Sequence, residues 1–246
     1  MKTDLSRRDF LKTGGALVIS FSLVPELALG QAKPAALPGS LNTNRMLNAW
    51  LRIDADGTVT IFTGKIELGQ GIGTALSQIA ADELDVDLKR IAMVHGDTEL
   101  TPNEGQTAGS QSVENSGTAL RFACAEARGI LLGAAAAKLG VAASELSVND
   151  GVCTAPGGKS MAYWALVSDA DFKREAQANV KPKPASQHKW VGKSVTRRDI
   201  PKKMTGGAAY VQDVRLPGMV FGRVVRPPSP GAQLVSFDEA GVKSLP

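Results

Sequence analysis

Apolar and polar residues alternate from Asn48 to Phe62. Trp50 and Ile53 lie on one side of Asp56-Gly57, with Val59 and Ile61 on the other, which predicts a β-hairpin with a tight Asp-Gly turn. The period then changes: Leu76, Ile79, Ala80 and Leu84 recur at helical spacing, so a helix is expected from about Thr74 to Leu84. Asp87-Leu88-Lys89-Arg90 reads as a turn, and Ile91 to Val94 as a short strand ending in His95-Gly96-Asp97-Thr98. A polar stretch, Thr101 to Ser112, precedes a long alanine-rich helix, about Ser116 to Leu139. Its packing face is Leu120, Cys124, Ala127, Leu131 and Ala134. Ala143 to Thr154 predicts a second hairpin turning at Asn149-Asp150-Gly151, followed by a loop over 155–162 and a short helix from Tyr163 to Val167. Residues 31–44 and 171–189 read as linkers. From residue 190 the pattern becomes strand-like again in Ala208–Val211, Met219–Val225 and Gln233–Phe237, separated by Gly/Pro turns. The chain stops there without a capping element, so a fragment or one half of a split protein is expected.

The first thirty residues read as an address. Ser6-Arg7-Arg8-Asp9-Phe10-Leu11-Lys12 is followed by a moderately apolar run from Gly14 to Val24 and a small-residue pattern at Ala28-Leu29-Gly30. The run is too short for a spanning helix, which needs ~20 residues. The paired arginines within the whole SRRDFLK string place it with twin-arginine export signals, so a periplasmic location is expected. That route carries folded proteins, which raises the expectation of an inserted cofactor.

With 246 residues, one or two domains with a real core fit after the signal, and 43% hydrophobic content is that of a globular protein. A net charge of +4 and only 5% aromatic residues argue against nucleic acid as a partner. Lys173–Arg174, Arg197–Arg198 and Lys202–Lys203 read as solvated loop charges. Cys124 and Cys153 lack CxxC spacing and lie far in sequence from His95 and His188, so no metal or cluster site is expected in this chain. Two buried thiols are expected rather than a bridge. His95 reads as a packing residue at a strand end. No G-x-S-x-G string occurs and His188 lies in a linker, which disfavours a serine hydrolase.

The chemistry concentrates in two glycine loops. In Gly64 to Thr74, three glycines at alternate positions (Gly69, Gly71, Gly73) enclose Gln70, between a strand and a helix. Backbone without Cβ can approach a ligand closely, and unpaired N–H groups at a helix start suit an anion. Gly105 to Ser112 repeats the arrangement, with glycines and hydroxyl residues just before the alanine-rich helix. Neither loop has the GxGxxG spacing of a dinucleotide fold or the Lys-Ser/Thr of a P-loop.

The order of these pieces carries a resemblance. KIELGQG after a strand, AADEL on a helix, HGDT at a strand end, QTAGSQS and an alanine-rich helix resemble the molybdopterin-binding large subunit of the molybdenum hydroxylases, the xanthine dehydrogenase and aldehyde oxidase superfamily. The isoquinoline 1-oxidoreductase β-subunit type is the nearest in look. RRDIPKKMTGGAAYVQDVRLPGMV, then VVRPP and GAQL, resembles that superfamily's a/b hammerhead domain. The resemblance implies an α+β fold: part of a molybdopterin-binding domain over 45–170, then a truncated hammerhead over 190–246. It implies a molybdenum–molybdopterin cofactor, as its cytosine dinucleotide. Gly69, Gln70 and Gly71 would sit at the pterin–molybdenum end, with the Gln70 amide as donor, and Thr107, Gly109, Ser110 and Gln111 along the phosphate-bearing part. The implied reaction is water-dependent oxidation of an aldehyde or an N-heteroaromatic ring, with a glutamate as general base. That glutamate belongs to a G-x-G-E string, which this sequence lacks, so no catalytic residue is assigned. Glu67 reads as structural and Glu104 as a loop carboxylate. The implied partners are the remainder of the catalytic subunit or a second chain supplying it, a subunit carrying [2Fe-2S] clusters, and a cytochrome c subunit that could attach the complex to the inner membrane. The competing reading is an exported, non-catalytic assembly module of such a complex.

Overall fold

The first hairpin forms as the alternation predicts. In the structure, a computed structural model that describes residues 35–166 and 172–243, β1 (Leu51–Ile53) pairs antiparallel with β2 (Val59–Thr63), Leu51 opposite Ile61. β2 runs into the first glycine loop and then α1 (Ile72–Leu84), and the chain returns as β3 (Ile91–His95), parallel to β2 with Val59 opposite Ile91. This is a βαβ unit, and a parallel return needs such a crossover. Leu76, Ala80 and Leu84 of α1 are fully buried against the sheet side of the core.

The second loop leads into a six-residue π-turn (Ser112–Gly117) and then α2 (Thr118–Leu139). Leu120, Cys124, Ala127, Leu131 and Ala135 of α2 are buried, and small residues let it pack closely on α1. The second hairpin also forms, as β4 (Ser147–Asn149) with β5 (Val152–Thr154). Its turn residues Asp150 (φ 46°) and Gly151 (φ 72°) both take the left-handed conformation of a two-residue hairpin turn. Where the sequence predicts only loop, β6 (Ser160–Ala162) completes that sheet, and Tyr163–Ala165 forms a 3₁₀ turn. Cys124 and Cys153 are free and buried, as expected.

The linker readings need correction. Leu37, Ser40 and Leu41, within 31–44, are buried in the core. Within 171–189, Phe172, Ala176 and Lys183 are buried. Backbone N–H groups of this stretch find carboxylates on the helices: Gln177 and Ala178 donate to Glu126, and Lys183 to Glu83. Proline and charge do suggest a linker locally, but distant acceptors dock the segment. The twin-arginine signal over 1–30 lies outside the described residues.

The chain divides after Arg198 into two units. The second begins at residue 199 rather than 190. It holds α3 (Ile200–Met204), with Lys203 Nζ 2.6 Å from Asp199, a 3₁₀ turn at Val211–Asp213, and α4 (Ala240–Lys243). The runs expected as strands, Ala208–Val211, Met219–Val225 and Gln233–Phe237, form none among the described residues. Val220, Phe221, Val225 and Val235 are exposed. A strand exists only when a neighbour takes its N–H and C=O groups, and these runs have no ladder partner there.

Candidate functional site

Both predicted loops sit at the carboxyl ends of β2 and β3 and are stitched together by a buried polar network. Lys65 is fully buried, and its Nζ donates to the carbonyls of Glu104 (2.7 Å) and Gln106 (2.9 Å). The Ile66 N–H donates to Thr107 Oγ1 at 2.9 Å. Glu104, also buried, accepts from Ser40 Oγ (2.6 Å), Thr63 Oγ1 (2.8 Å) and the Gly64 N–H (2.8 Å). Each buried ion thus has the hydrogen bonds that offset its desolvation. Glu104 is a structural strut and is not poised as a base.

The first loop departs from the expectation of an open anion cradle. The Glu67 carboxylate accepts from the N–H groups of Gly69 (2.9 Å), Gly71 (2.9 Å) and Gly73 (3.1 Å). The N-cap of α1 is Gly71 (φ 83°), which has no side chain to cap with, and Glu67 supplies the missing oxygen. The helix start that reads as a site for an external anion is filled by the chain's own carboxylate. Glu67 is structural, as expected. The Gln70 amide also turns back on its loop: Oε1 accepts from the Leu68 N–H at 2.6 Å, and Nε2 donates to the Ile66 carbonyl at 2.9 Å. A primary amide carries two N–H donors, and one of them is committed here. His95 is a packing residue at its strand end: a Cβ on Gly73 would come within 2.7 Å of His95 Cε1.

Arg197 and Arg198 are not solvated loop charges. Arg197 Nη1 donates to the Gly69 carbonyl at 2.6 Å and Nη2 stands 3.5 Å from Glu67. Arg198 donates to the carbonyls of Leu88, at 2.9 Å, and Ile91.

The second loop stays open. Gly109, Ser110 and Gln111 are exposed. Gly109 (φ 64°) and Ser110 (φ 59°) are both left-handed, and for a residue with a Cβ this costs about 1–2 kcal/mol. A strained serine next to a π-turn is the kind of irregularity found at binding sites. The donors available here are backbone N–H groups, a hydroxyl and an amide, all neutral. Neutral donors of this kind hydrogen-bond oxyanions without supplying charge, whereas in the first loop Glu67 already takes the N–H groups of Gly69, Gly71 and Gly73.

Elsewhere, Asp82 and Glu83 of the AADEL stretch are buried and bind backbone: Asp82 accepts from the N–H groups of Lys189 (2.8 Å), Trp190 (2.9 Å) and Val191 (2.8 Å). Arg121 lies 3.0 Å from Glu83 and donates to His188 Nε2 at 2.6 Å. Arg90 grips Asp150 through two bonds of 2.6 and 2.7 Å, which holds that carboxyl below the usual range. These contacts are structural. No helix among the described residues is long and apolar enough to cross a membrane.

The βαβ unit, with both glycine loops beyond the carboxyl ends of its parallel strands, and the second three-stranded sheet make this a domain of mixed α+β class. The chain belongs to the molybdopterin cofactor-binding domain family, whose model matches residues 22–215. It is 36% identical over 249 residues to the nicotinate dehydrogenase B component of Pseudomonas putida, a match that covers 98% of this chain and 21% of that protein. It is 31% identical to a membrane-bound aldehyde dehydrogenase [pyrroloquinoline-quinone] of Gluconacetobacter polyoxogenes, over 99% of this chain and 32% of that one. The β-subunit of isoquinoline 1-oxidoreductase from Brevundimonas diminuta is 29% identical over 98% of this chain and 36% of its own length. The chain therefore spans between about a fifth and a third of the length of these curated relatives.

Proposed function

We propose that this chain is the N-terminal part of the catalytic subunit of a molybdenum-dependent oxidoreductase, with residues 105–111 lining the phosphate-bearing part of the molybdopterin. The observation that carries the reading is the contrast between the loops: in the first, Glu67 takes the N–H groups of Gly69, Gly71 and Gly73, while Gly109, Ser110 and Gln111 are left exposed and neutral on a strained turn. When bound, the cofactor supplies two-electron redox chemistry that no side chain has. The part played by this chain is binding and orientation. Thr107, Gly109, Ser110 and Gln111 give hydrogen bonds to the phosphate end, and Gly69, Gln70 and Gly71 form a fixed, uncharged wall at the other. Glu67 and Glu104 are committed to three hydrogen bonds each and supply no base.

The substrate classes are an N-heteroaromatic ring or an aldehyde, in keeping with the names of the relatives. A cytosine dinucleotide form of the cofactor, a [2Fe-2S] subunit, a cytochrome c acceptor and a chain supplying the base complete the assembly. The SRRDFLK string supports export to the periplasm by the twin-arginine route.

The test is a paired substitution at Gly109 in the complex purified with its natural neighbours. Asp and Asn both tolerate the left-handed conformation and differ here in charge. Gly109→Asp sets a carboxylate against the phosphates and should lower molybdenum and cytosine nucleotide per protein at least about tenfold, as ~1.4 kcal/mol of repulsion would. Gly109→Asn should stay loaded. Equal loading of the two variants, or pyrroloquinoline quinone in place of molybdenum in the wild type, would refute the reading.

A further inference from the structure

Glu67 and Arg197 play no part in holding the phosphate end, yet both converge on the turn between β2 and α1. Gly69 and Gly71 take left-handed backbone (φ 105° and 83°), and a Cβ at Gly69 would meet nothing within 4 Å, so side-chain packing does not hold this turn in place. A glycine turn left to itself samples many conformations. Polar ties set its shape instead. Three alternate N–H groups meet on the Glu67 carboxylate, and Arg197, 128 positions from Gly69, donates to the Gly69 carbonyl at 2.6 Å. The Arg197 side chain also crosses Gly71, with its Cδ 3.8 Å from where a Cβ would stand, and Nη2 lies 3.5 Å from Glu67. One guanidinium thus touches the carboxylate, the carbonyl and the face of the turn.

The geometry points to Glu67 and Arg197 as a positioning pair: together they fix the Gly69–Gly71 turn that carries Gln70, whose amide is held in addition by the Leu68 N–H and the Ile66 carbonyl. This rests on the cofactor reading above for its consequence, and on the hydrogen bonds alone for its structural content. The pair also sets the local electrostatics. The carboxylate cancels the positive end of α1, and Arg197 balances the carboxylate, so the turn presents a neutral amide rather than a charge.

The experiment uses the complex purified with its natural neighbours and compares wild type with Glu67→Gln, Arg197→Ala and Arg197→Lys. Amide hydrogen exchange is read by mass spectrometry on a peptide covering 67–76 and on one covering α2. The expected result is exchange at least about tenfold faster at the turn in Glu67→Gln and Arg197→Ala, with α2 unchanged. Arg197→Lys should restore part of the protection, since an ammonium can reach the Gly69 carbonyl or Glu67 but cannot fork to both. Molybdenum content should stay at the wild-type level while kcat falls and KM holds. Unchanged exchange at the turn, an equal rise in α2, or an unaltered kcat alongside a loosened turn would each overturn the positioning role. A wild-type complex without molybdenum would end the cofactor reading instead, and the exchange comparison would still decide whether the pair fixes the turn.

Discussion

Replacing Asp82 by Asn tests whether the acidic AADEL stretch is a structural clamp. Asp82 is 3% exposed, and its Oδ1 accepts from the Lys189 and Trp190 N–H groups while Oδ2 accepts from Val191. An amide oxygen at the Oδ1 position keeps two bonds in weaker, neutral form, and its NH₂ then faces the Val191 N–H, donor against donor. A hydrogen bond to a charged group contributes about 1.5–3 kcal/mol, and a neutral one about 0.5–1.5. The variant loses one of the first kind outright and downgrades two, a total of about 3 kcal/mol or more. Relief of the buried charge works the other way, but stranding a buried donor outweighs it when the partner stays in place. For a unit of this size, about 2–4 °C of melting temperature per kcal/mol gives a fall of roughly 6–12 °C. Thermal unfolding measures the fall, and hydrogen exchange on a peptide covering 186–193 should show that segment opening first. A melting temperature within ~2 °C of wild type, with exchange at 189–191 unchanged, would refute the clamp.

Gly73→Ala should destabilise, although alanine favours a helix by about 1 kcal/mol. The new Cβ would lie 2.7 Å from His95 Cε1 and 2.9 Å from Nε2, and such overpacking costs about 1–3 kcal/mol, so a raised melting temperature would contradict the packing. Burial pushes the Cys153 thiol up to about 11, and burial, with the Glu83 charge, raises the Cys124 thiol well above its ordinary value. Both should resist maleimide at pH 8 in the native state and react after unfolding. Because the Cys153 thiol binds its proton more tightly when folded, its contribution to stability is full below about pH 9 and is lost as pH rises through about 11. Cys153→Ala should flatten that part of a stability–pH curve.

The elements set by local period are legible in the sequence. Alternation around Asp56-Gly57, helical spacing from Leu76 to Leu84 and the Asn149-Asp150-Gly151 turn all form within about two residues of expectation. The two glycine loops meet through the family resemblance in the sequence, and the structure supplies the reason: the strands before them pair in parallel as a βαβ unit, which brings their ends together. The unforeseen features depend on partners far away in sequence. The burial of Lys65 has no local signal, because the carbonyls that satisfy it belong to Glu104 and Gln106, about forty positions on. Arg197 and Lys183 resemble surface cations for the same reason, and the segment around Lys183 resembles a linker. Glu67 is a different failure. A carboxylate two, four and six residues ahead of three glycines is itself the signal, and the N–H cluster reads as vacant only while an external anion is sought for it.

That self-filling explains a division of labour between two loops with similar composition. An N–H cluster at the start of a thirteen-residue helix attracts negative charge whether it comes from a ligand or from the chain. With Glu67 tethered four residues before the cap, the effective concentration of carboxylate is far above that of any free anion, so the chain takes the position permanently. The proposed positioning role follows: a turn tied at three N–H groups and balanced by Arg197 would suit orienting a group better than gripping phosphate. Residues 105–111 have no such tethered acid: Glu104 points into the buried network with Ser40 and Thr63. Lys65 meanwhile spends its charge on the carbonyls behind this loop, so its outer face keeps its donors. The direction of one glutamate relative to its glycines thus separates a turn capped by its own carboxylate from one whose residues face outward, although composition alone makes them look alike.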